Sequence, residues 1–327
     1  MTPCVIPSML DGPPEIRALV YIRQLSIFSL DCVMFEFPEG ASTVGYSFLG
    51  LSLTRIIFSG VYRNAIAQRL PDPILKRFLS PRSMKAEKVR KLHENLWYAV
   101  WHTLSFVTLL TVLLAQPWFV SYATTWDCRW IYLGFPHVIT EASAKVYLVE
   151  LGFWISCLFF MALETLRKDV VEMFVHHVTT ISLVGLSYVY GFHQVGLVIM
   201  AVHDLGDIFL YSAKFFNYLD FPGLTNALFG TFVLVFFITR LVIYPQLVYL
   251  AWGPFTGFLP DIDYRDYQGT LILPGLLAVL QALHCMWFVL ICRMVHRMLK
   301  TETKQVEGDI RSDDETSNEN GSNKKHK

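Results

Sequence analysis

The sequence predicts an all-α protein that crosses a membrane several times. Hydrophobic residues occupy 54% of its 327 positions, only 17% of the residues are charged, and the mean hydropathy is +0.42. An ordinary soluble domain carries about 25% charged residues. The apolar residues also form blocks of about 20, the length that an α-helix needs to cross a bilayer. The composition therefore excludes a soluble enzyme, a disordered protein and a nucleic-acid-binding domain.

Seven blocks are long enough to be transmembrane helices. The predicted spans are 42–61, 95–115, 146–166, 171–191, 195–215, 226–250 and 270–292. The first is the weakest, because serines, threonines and Arg55 interrupt it. Only the region from Gly191 to Gln194 separates the fourth and fifth spans, so these two helices should form a close antiparallel pair.

The distribution of positive charge predicts the orientation of the spans. Lysines and arginines accumulate in segment 62–91, and short basic loops remain in the cytosol. The N-terminal segment 1–41 should then be lumenal, and after seven crossings the polar tail 301–327 should be cytosolic and disordered. Residues 1–40 lack the compact apolar region of a cleavable signal peptide, so the first span is expected to act as the membrane signal.

The end of the tail resembles an address for the endoplasmic reticulum. Lys324 and Lys325 lie four and three positions from the terminus, as in a dilysine retrieval signal. A receptor reads such a signal from the cytosol, where the predicted orientation places it. The sequence thus predicts a multi-pass protein of the endoplasmic reticulum membrane.

Ionisable residues inside the fourth and fifth spans form the candidate site. A charged group at mid-membrane costs about 2.5–3.5 kcal/mol on insertion scales, so it needs a functional or structural reason. His176 and His177 lie in the fourth span, and His203, Asp204 and Asp207 lie in the fifth. Because the two spans are consecutive, these side chains are predicted to share one polar pocket. The alternative is a hydrogen-bond network that only holds helices together.

Two residues in the last two spans have simpler interpretations. Arg240 is predicted to be a partner of one of the aspartates. His284 is interpreted as a helix-packing histidine. The continuous helix face of His203 and Asp207 also carries Tyr211 and Lys214.

The residue types fit two kinds of chemistry. An imidazole beside a carboxylate can act as base or nucleophile, and carboxylates can hold an ammonium group, so the cluster suits acyl transfer from a thioester to an amine. Histidine and aspartate are also ligands of zinc and iron, so a zinc-dependent membrane amidohydrolase is the rival. The sequence contains neither the repeated histidine boxes of di-iron desaturases nor GxSxG or Walker motifs.

Several motifs carry a resemblance to a known family. They are MFVHHVTT from Met173, AVHDLGDIFLYSAKFF from Ala201, and the shorter LHENLWY, TRLVIYP and LQALHCMW. Together they cover about 85–300, and this stretch resembles the ceramide synthases of the TLC-domain superfamily. The resemblance implies a TLC domain at 92–300, in which six of the helices form a barrel around a central cavity. It also implies that a fatty acyl-CoA is joined to the amine of a sphingoid base, giving ceramide.

The resemblance also implies residue roles. The functional residues of the family correspond here to His176, His177, His203, Asp204 and Asp207. His203, oriented by Asp204 or Asp207, is predicted to be the acyl acceptor or the base.

Substrate contacts and partners follow from the same resemblance. The residues predicted to contact coenzyme A or the cavity are Arg167, Lys168, Tyr211, Lys214 and Arg240. Neither a metal nor a bound cofactor is expected, since acyl-CoA is a co-substrate, and membrane lipids are the other partners. A TLC-domain lipid sensor or chaperone without activity remains an alternative. The oligomeric state stays open, with a homodimer or heterodimer as the assemblies considered.

Overall fold

The protein is helical throughout the part of the chain that the structure describes. The computed structural model describes residues 42–56, 86–132, 139–161, 169–253 and 272–300. The α-helices, numbered in chain order, are α1 (42–56), α2 (Ala86–Leu114), α3 (Pro117–Thr125), α4 (Glu141–Met161), α5 (Val170–Val189), α6 (His193–Tyr218), α7 (Pro222–Phe236), α8 (Tyr244–Ala251) and α9 (Ile272–Lys300). A short 3₁₀-helix, Cys128–Ile131, follows α3, and a π-helix, Phe237–Ile243, joins α7 to α8.

Six segments are long and apolar enough to cross a membrane. They are Lys91–Leu114, α4, α5, α6, Pro222–Ala251 and α9. These correspond to the second to seventh predicted spans, so the predicted polytopic all-α class is confirmed. Helix α1 covers the described part of the first predicted span. Within the described residues α1 is too short to cross a membrane by itself, so the total of seven spans stays a prediction.

The predicted domain boundaries are only partly visible. Helix α2 begins at Ala86, so the last residues of the predicted basic loop 62–91 are helical. The predicted N-terminal segment 1–41, the rest of that loop and the predicted tail 301–327 lie outside the described residues.

Helix α6 is the most extensively packed element. It contacts α2 over much of its length and also touches α7, α5 and α4. Helix α5 packs mainly against α4 and α9. The two consecutive helices α5 and α6 therefore touch each other less than their short connection suggested. The barrel arrangement itself stays a prediction.

The connection from α5 to α6 is a Schellman turn. Gly191 adopts a φ of 78°, a left-handed conformation that glycine reaches without steric cost. The backbone N–H of Phe192 donates to the carbonyl of Ser187 at 2.8 Å, which satisfies one of the last carbonyls of α5. The predicted break near Gly191 is confirmed, and the turn sets where α6 begins.

A π-helix carries Arg240 into the interior. The backbone N–H of Tyr244 donates to the carbonyl of Thr239, five residues earlier. Pro245 follows and has no N–H, so a regular α-helical hydrogen bond is lost here in any case. The wider turn places Arg240, which is buried, between α6 and α9. Segments of this kind often occur at functional sites.

Helix α1 packs closely against α4. A Cβ atom on Gly152 would lie 2.7 Å from Cβ of Ser47 and 3.0 Å from the carbonyl oxygen of Val44. Glycine at this position is therefore required for the two backbones to approach so closely. The guanidinium of Arg55 lies over the ring of Tyr98 on α2, 4.8 Å from its centroid, so the arginine that weakens the first span is held by a cation–π contact.

The connection after α3 places Tyr132 against α8. Asp127 begins the 3₁₀-helix by accepting a hydrogen bond from the backbone N–H of Arg129 at 3.0 Å. Hydrogen bonds from the Arg129 side chain lower the pKa of Asp127, so this carboxylate stays charged. Tyr132 then donates its hydroxyl proton to the carbonyl of Leu247 at 3.1 Å.

Candidate active site

An apolar cavity lies between helices α4, α5, α6 and α9. Aliphatic side chains of the last three helices form much of its lining, among them Leu183, Val195, Ile199, Leu277 and Leu280. The polar groups that line it are few, chiefly His176, His203, Thr180, Ser187 and the hydroxyls of Tyr132 and Tyr147. Such a lining suits a hydrocarbon chain and provides little for a polar ligand.

The cavity runs beside most of the first half of α6. Phe192 borders it just before the helix begins, and His203 borders it three turns later. At the rise of an α-helix this interval is roughly 16 Å. At the Phe192 end, the hydroxyls of Tyr147 and Ser187 lie 2.5 Å apart in a hydrogen bond. The cavity is therefore elongated, with the imidazole groups of His176 and His203 toward one end.

The hydrogen bonds of His203 fix its tautomer. Its Nδ1 lies 2.7 Å from the carbonyl oxygen of Ile199. A carbonyl can only accept, so Nδ1 carries the hydrogen and Nε2 keeps its lone pair. The Nε2 atom lies 3.1 Å from Nε2 of His284, which must then be the donor. His203 is thus a neutral imidazole whose Nε2 accepts a hydrogen bond from His284.

His176 lies at the same end of the cavity as His203. Its ring makes edge contacts with Trp154 and Trp287, at centroid distances of 5.8 and 5.3 Å. The neighbouring His177 packs against Trp154 at 5.8 Å but is not among the residues that line the cavity. The Nδ1 atoms of both histidines are buried and have no hydrogen-bond partner among the described residues.

Asp204 belongs to a different group of side chains, between α2, α4 and α6. Its Oδ1 accepts a hydrogen bond from Nδ1 of His102 at 2.8 Å, and its Oδ2 is hydrogen-bonded to the hydroxyl of Ser105. The same hydroxyl lies 2.5 Å from Oε1 of Glu150. All four residues are buried. Asp204 and His203 therefore have different hydrogen-bond partners, because successive residues on a helix point about 100° apart, and the prediction that Asp204 or Asp207 orients His203 stays a prediction.

Asp207 pairs with Arg240. Its Oδ2 lies 3.9 Å from the guanidinium, which also donates to the backbone carbonyl of His203 at 2.9 Å. The prediction that Arg240 is a partner of an aspartate is confirmed. Its other terminal nitrogen has no hydrogen-bond partner among the described residues. Arg240 thus connects the Asp207 carboxylate to the backbone beside His203.

The remaining predicted contact residues lie beyond the carboxylates on α6. Tyr211 stacks on Tyr98 and on His102, with centroid distances of 4.7 and 5.5 Å. The ammonium of Lys214 lies 5.9 Å from the centroid of the Tyr211 ring. The predicted coenzyme A contacts Arg167 and Lys168 fall outside the described residues.

The five residues predicted to share one pocket divide into three environments. His176 and His203 border the cavity, Asp204 and Asp207 lie on the α2 and α7 sides of α6, and His177 packs against Trp154. The two aspartates lie within about one helical turn of His203 on α6 but are not among the residues that line the cavity.

Sequence reasoning does not find four residues that the structure places in these groups. They are His102, Ser105, Glu150 and, as a contact of His203, His284. Glu150 and His102 are ionisable groups inside predicted spans, so the cost of charge in a membrane could have identified them. Ser105 gives no such signal, since a hydroxyl is common in transmembrane helices.

The described residues offer little for a metal ion. No three histidine, cysteine, aspartate or glutamate side chains among them are grouped so that they could hold one. Two pairs of possible donors that are close together, His203 with His284 and His102 with Asp204, already share hydrogen bonds.

Comparison with known proteins identifies the family. Residues 91–293 match the TLC domain family. The chain is 35% identical to mouse ceramide synthase 4 over 233 residues, covering 68% of this chain and 54% of that protein. It is 34% identical to human ceramide synthase 5, covering 72% and 57% of the two chains. The chain thus spans little more than half the length of these mammalian relatives.

A plant relative matches over nearly its full length. The chain is 30% identical to ceramide synthase LOH2 of Arabidopsis thaliana over 280 residues, which are 83% of this chain and 88% of that one. The TLC domain match over residues 91–293 includes the residues of the site described above. This protein is therefore a multi-pass membrane protein that belongs to the ceramide synthase family of TLC-domain proteins.

Proposed function

We propose that this protein is a ceramide synthase, which transfers a fatty acyl group from acyl-CoA to the amine of a sphingoid base. The names of its relatives support this activity. The observation that carries the proposal is the position of His203, whose unprotonated Nε2 borders an elongated apolar cavity. An acyl chain in this cavity brings its thioester carbonyl to that nitrogen.

His203 is the acyl acceptor in this proposal. The N–H of His284 moves from Nε2 of His203 to the carbonyl oxygen of the thioester, which frees the Nε2 lone pair to attack the carbonyl carbon. A C–N bond forms, the C–S bond breaks, and the thiolate of coenzyme A takes up the proton that the substrate ammonium gives up. The hydrogen bond from Nδ1 to the Ile199 carbonyl keeps the ring in the required tautomer and stabilises positive charge on it. The amine of the sphingoid base then attacks the acyl carbon, which restores the imidazole and forms the amide.

A carboxylate is needed for the second substrate. An alkylamine is protonated near neutral pH, so it binds as an ammonium and must lose a proton before it attacks. Asp207 is the accessible carboxylate, since its side chain is 23% exposed while that of Asp204 is 2% exposed. We assign ammonium binding to Asp207, with His176 completing the cavity end beside His203.

Coenzyme A requires cations near the entrance on the cytosolic side. Lys214 lies on α6 about two turns beyond Asp207, and the sequence places Arg167 and Lys168 just before α5. Phosphate groups are attracted to such basic residues by simple electrostatics. We propose these three residues as contacts of the coenzyme, and we expect no metal or bound cofactor in the reaction.

The proposed location is the endoplasmic reticulum membrane, with the N-terminus lumenal and the tail cytosolic. The basic segment 62–91 and the two lysines near the end of the tail support this orientation. Glycosylation acceptor sites introduced separately into the N-terminal segment and into the tail test it. We expect glycan on the N-terminal site alone, and glycan on the tail would contradict the orientation.

An assay in membranes tests the activity. Membranes containing the protein are incubated with dihydrosphingosine and acyl-CoAs of several chain lengths, and the N-acylated product is measured by mass spectrometry. We expect product with the wild type, none with His203→Ala, and near wild-type amounts with His296→Ala. His296 is the matched control because it is an exposed histidine on α9. Absence of product with every acyl-CoA would favour a lipid sensor or chaperone.

A further inference from the structure

The hydrogen bonds of Ser105 require one of its two carboxyl neighbours to be protonated. The Ser105 hydroxyl lies within hydrogen-bonding distance of both Glu150 and Asp204. A hydroxyl has a single hydrogen and donates to one of them only. Two ionised carboxylates cannot donate, so one contact would then be a repulsion between oxygen lone pairs. One carboxyl group must therefore carry a hydrogen and donate it to Ser105.

The other contacts of the two carboxyl groups identify the protonated one. Asp204 also accepts a hydrogen bond from His102, so it suits the ionised state, with both oxygens accepting. Glu150 makes no ion pair with any lysine, arginine or histidine of the described residues. A buried carboxyl group without a cation avoids the cost of charge by holding its proton. Arg240 is already the partner of Asp207.

We propose that Glu150 is a neutral carboxylic acid that positions Asp204, and through it α6, for the reaction at His203. Glu150 donates to Ser105, Ser105 donates to Asp204, and His102 donates to the other oxygen of Asp204. This chain of donors ties α6 to α2 and α4. Because Asp204 and His203 are adjacent on α6, fixing the direction of one fixes the direction of the other. The role as a positioning residue rests on the proposed function, whereas the protonation state does not.

Two substitutions at Glu150 test whether its side chain is a neutral carboxylic acid or an ionised carboxylate. Glu150→Gln replaces the acid by an amide of nearly the same shape, whose N–H still donates to Ser105. Glu150→Leu removes the donor. If Glu150 is neutral, we expect kcat of Glu150→Gln to stay within about twofold of wild type, and kcat of Glu150→Leu to fall about tenfold or more with KM for acyl-CoA little changed. Glu141→Gln, at an exposed position of the same helix, is the control.

Infrared spectroscopy of the purified protein tests the protonation state without any turnover. We expect a carbonyl stretching band of a protonated carboxylic acid in the wild type and in Glu141→Gln, and its loss in Glu150→Gln. A spectrum in which Glu150→Gln removes only carboxylate bands would overturn the proposal, and so would equal loss of activity in Glu150→Gln and Glu150→Leu. If the wild type has no activity, the proposed function fails while the infrared result still decides the state of Glu150. If Glu150→Leu does not fold, the activity of Glu150→Gln and the infrared spectra still decide whether Glu150 is protonated.

Discussion

Asp204 accepts a hydrogen bond from His102, which lies on another helix, and makes none with His203, its neighbour in the chain. The two sides of α6 therefore make different kinds of contact. One side of α6 directs an imidazole into an apolar cavity, and the other side holds a buried carboxylate against α2 and α4. The imidazole of His203 therefore makes no hydrogen bond with the neighbouring carboxylate, while the helix that carries it is held by polar contacts.

Replacing Asp204 by asparagine should be much more harmful than replacing Glu150 by glutamine. Asp204 accepts hydrogen bonds at both oxygens, and an asparagine NH₂ group would face a donor at one of them. A buried polar group left unsatisfied costs about 1–3 kcal/mol, so we expect activity to fall about tenfold or more. Activity per amount of folded protein, compared between Asp204→Asn and Glu150→Gln, checks this. Equal activities would contradict an ionised Asp204.

His284 should contribute to catalysis through its hydrogen bond to His203. His284→Phe keeps a planar ring in contact with Tyr244 and Phe236 but removes the donor to Nε2 of His203. The lost N–H can no longer donate to the carbonyl oxygen when Nε2 attacks, so kcat is expected to fall about tenfold, with KM nearly unchanged. Steady-state kinetics of the variant, with His296→Phe as control, measure the effect. An unchanged kcat would indicate that His284 only packs between helices, as the sequence predicts.

Gly196 should limit the length of the acyl chain. A Cβ atom at this position would overlap the hydroxyl of Tyr147, which is hydrogen-bonded to Ser187 at the far end of the cavity. Gly196→Ala should force Tyr147 toward the cavity and reduce the use of the longest acyl-CoAs first.

The control for this substitution is Gly185→Ala. Gly185 lies on α5 with nothing within 4 Å of its added Cβ, so the gain in helix propensity is similar. The ratio of long-chain to short-chain product in a competition assay is compared between the two variants, and we expect it to fall in Gly196→Ala only. A ratio that is the same in both variants would place the acyl chain elsewhere.

A chelator should leave the activity unchanged if histidine is the acyl acceptor. A zinc-dependent amidohydrolase would instead lose its metal-bound water and its activity. Membranes treated with a zinc chelator, washed and assayed for N-acylation test this directly. Activity that disappears and returns on addition of zinc would support the rival chemistry.

The amino-acid sequence is sufficient to predict six of the membrane spans and to select some of the residues of the candidate site. Apolar length predicts six of the helices, because hydrocarbon thickness fixes how many residues a crossing needs. The cost of ionisable groups in a membrane leads to His176, His203 and Asp204. The same reasoning also points to Arg240 as the partner of an aspartate.

The pairing of side chains could not be predicted in the same way. His203 and Asp204 are adjacent in sequence but point to different neighbours, and those neighbours depend on how α6 packs. The short turn at Gly191 predicts that α5 and α6 are close, yet α6 packs mainly on α2, which is distant in the chain. His102 and Ser105 reach Asp204 only because of that packing.

Trapping of the acyl group on the protein is the most direct test of His203 as the acyl acceptor. Purified protein is incubated with a long-chain acyl-CoA in the absence of amine, quenched and analysed by peptide mass spectrometry. We expect the peptide containing His203 to gain the mass of the acyl group less one hydrogen, to lose it when dihydrosphingosine is added, and to show no gain in His203→Ala. Active protein that never carries an acyl group on His203 would contradict the role assigned to this residue.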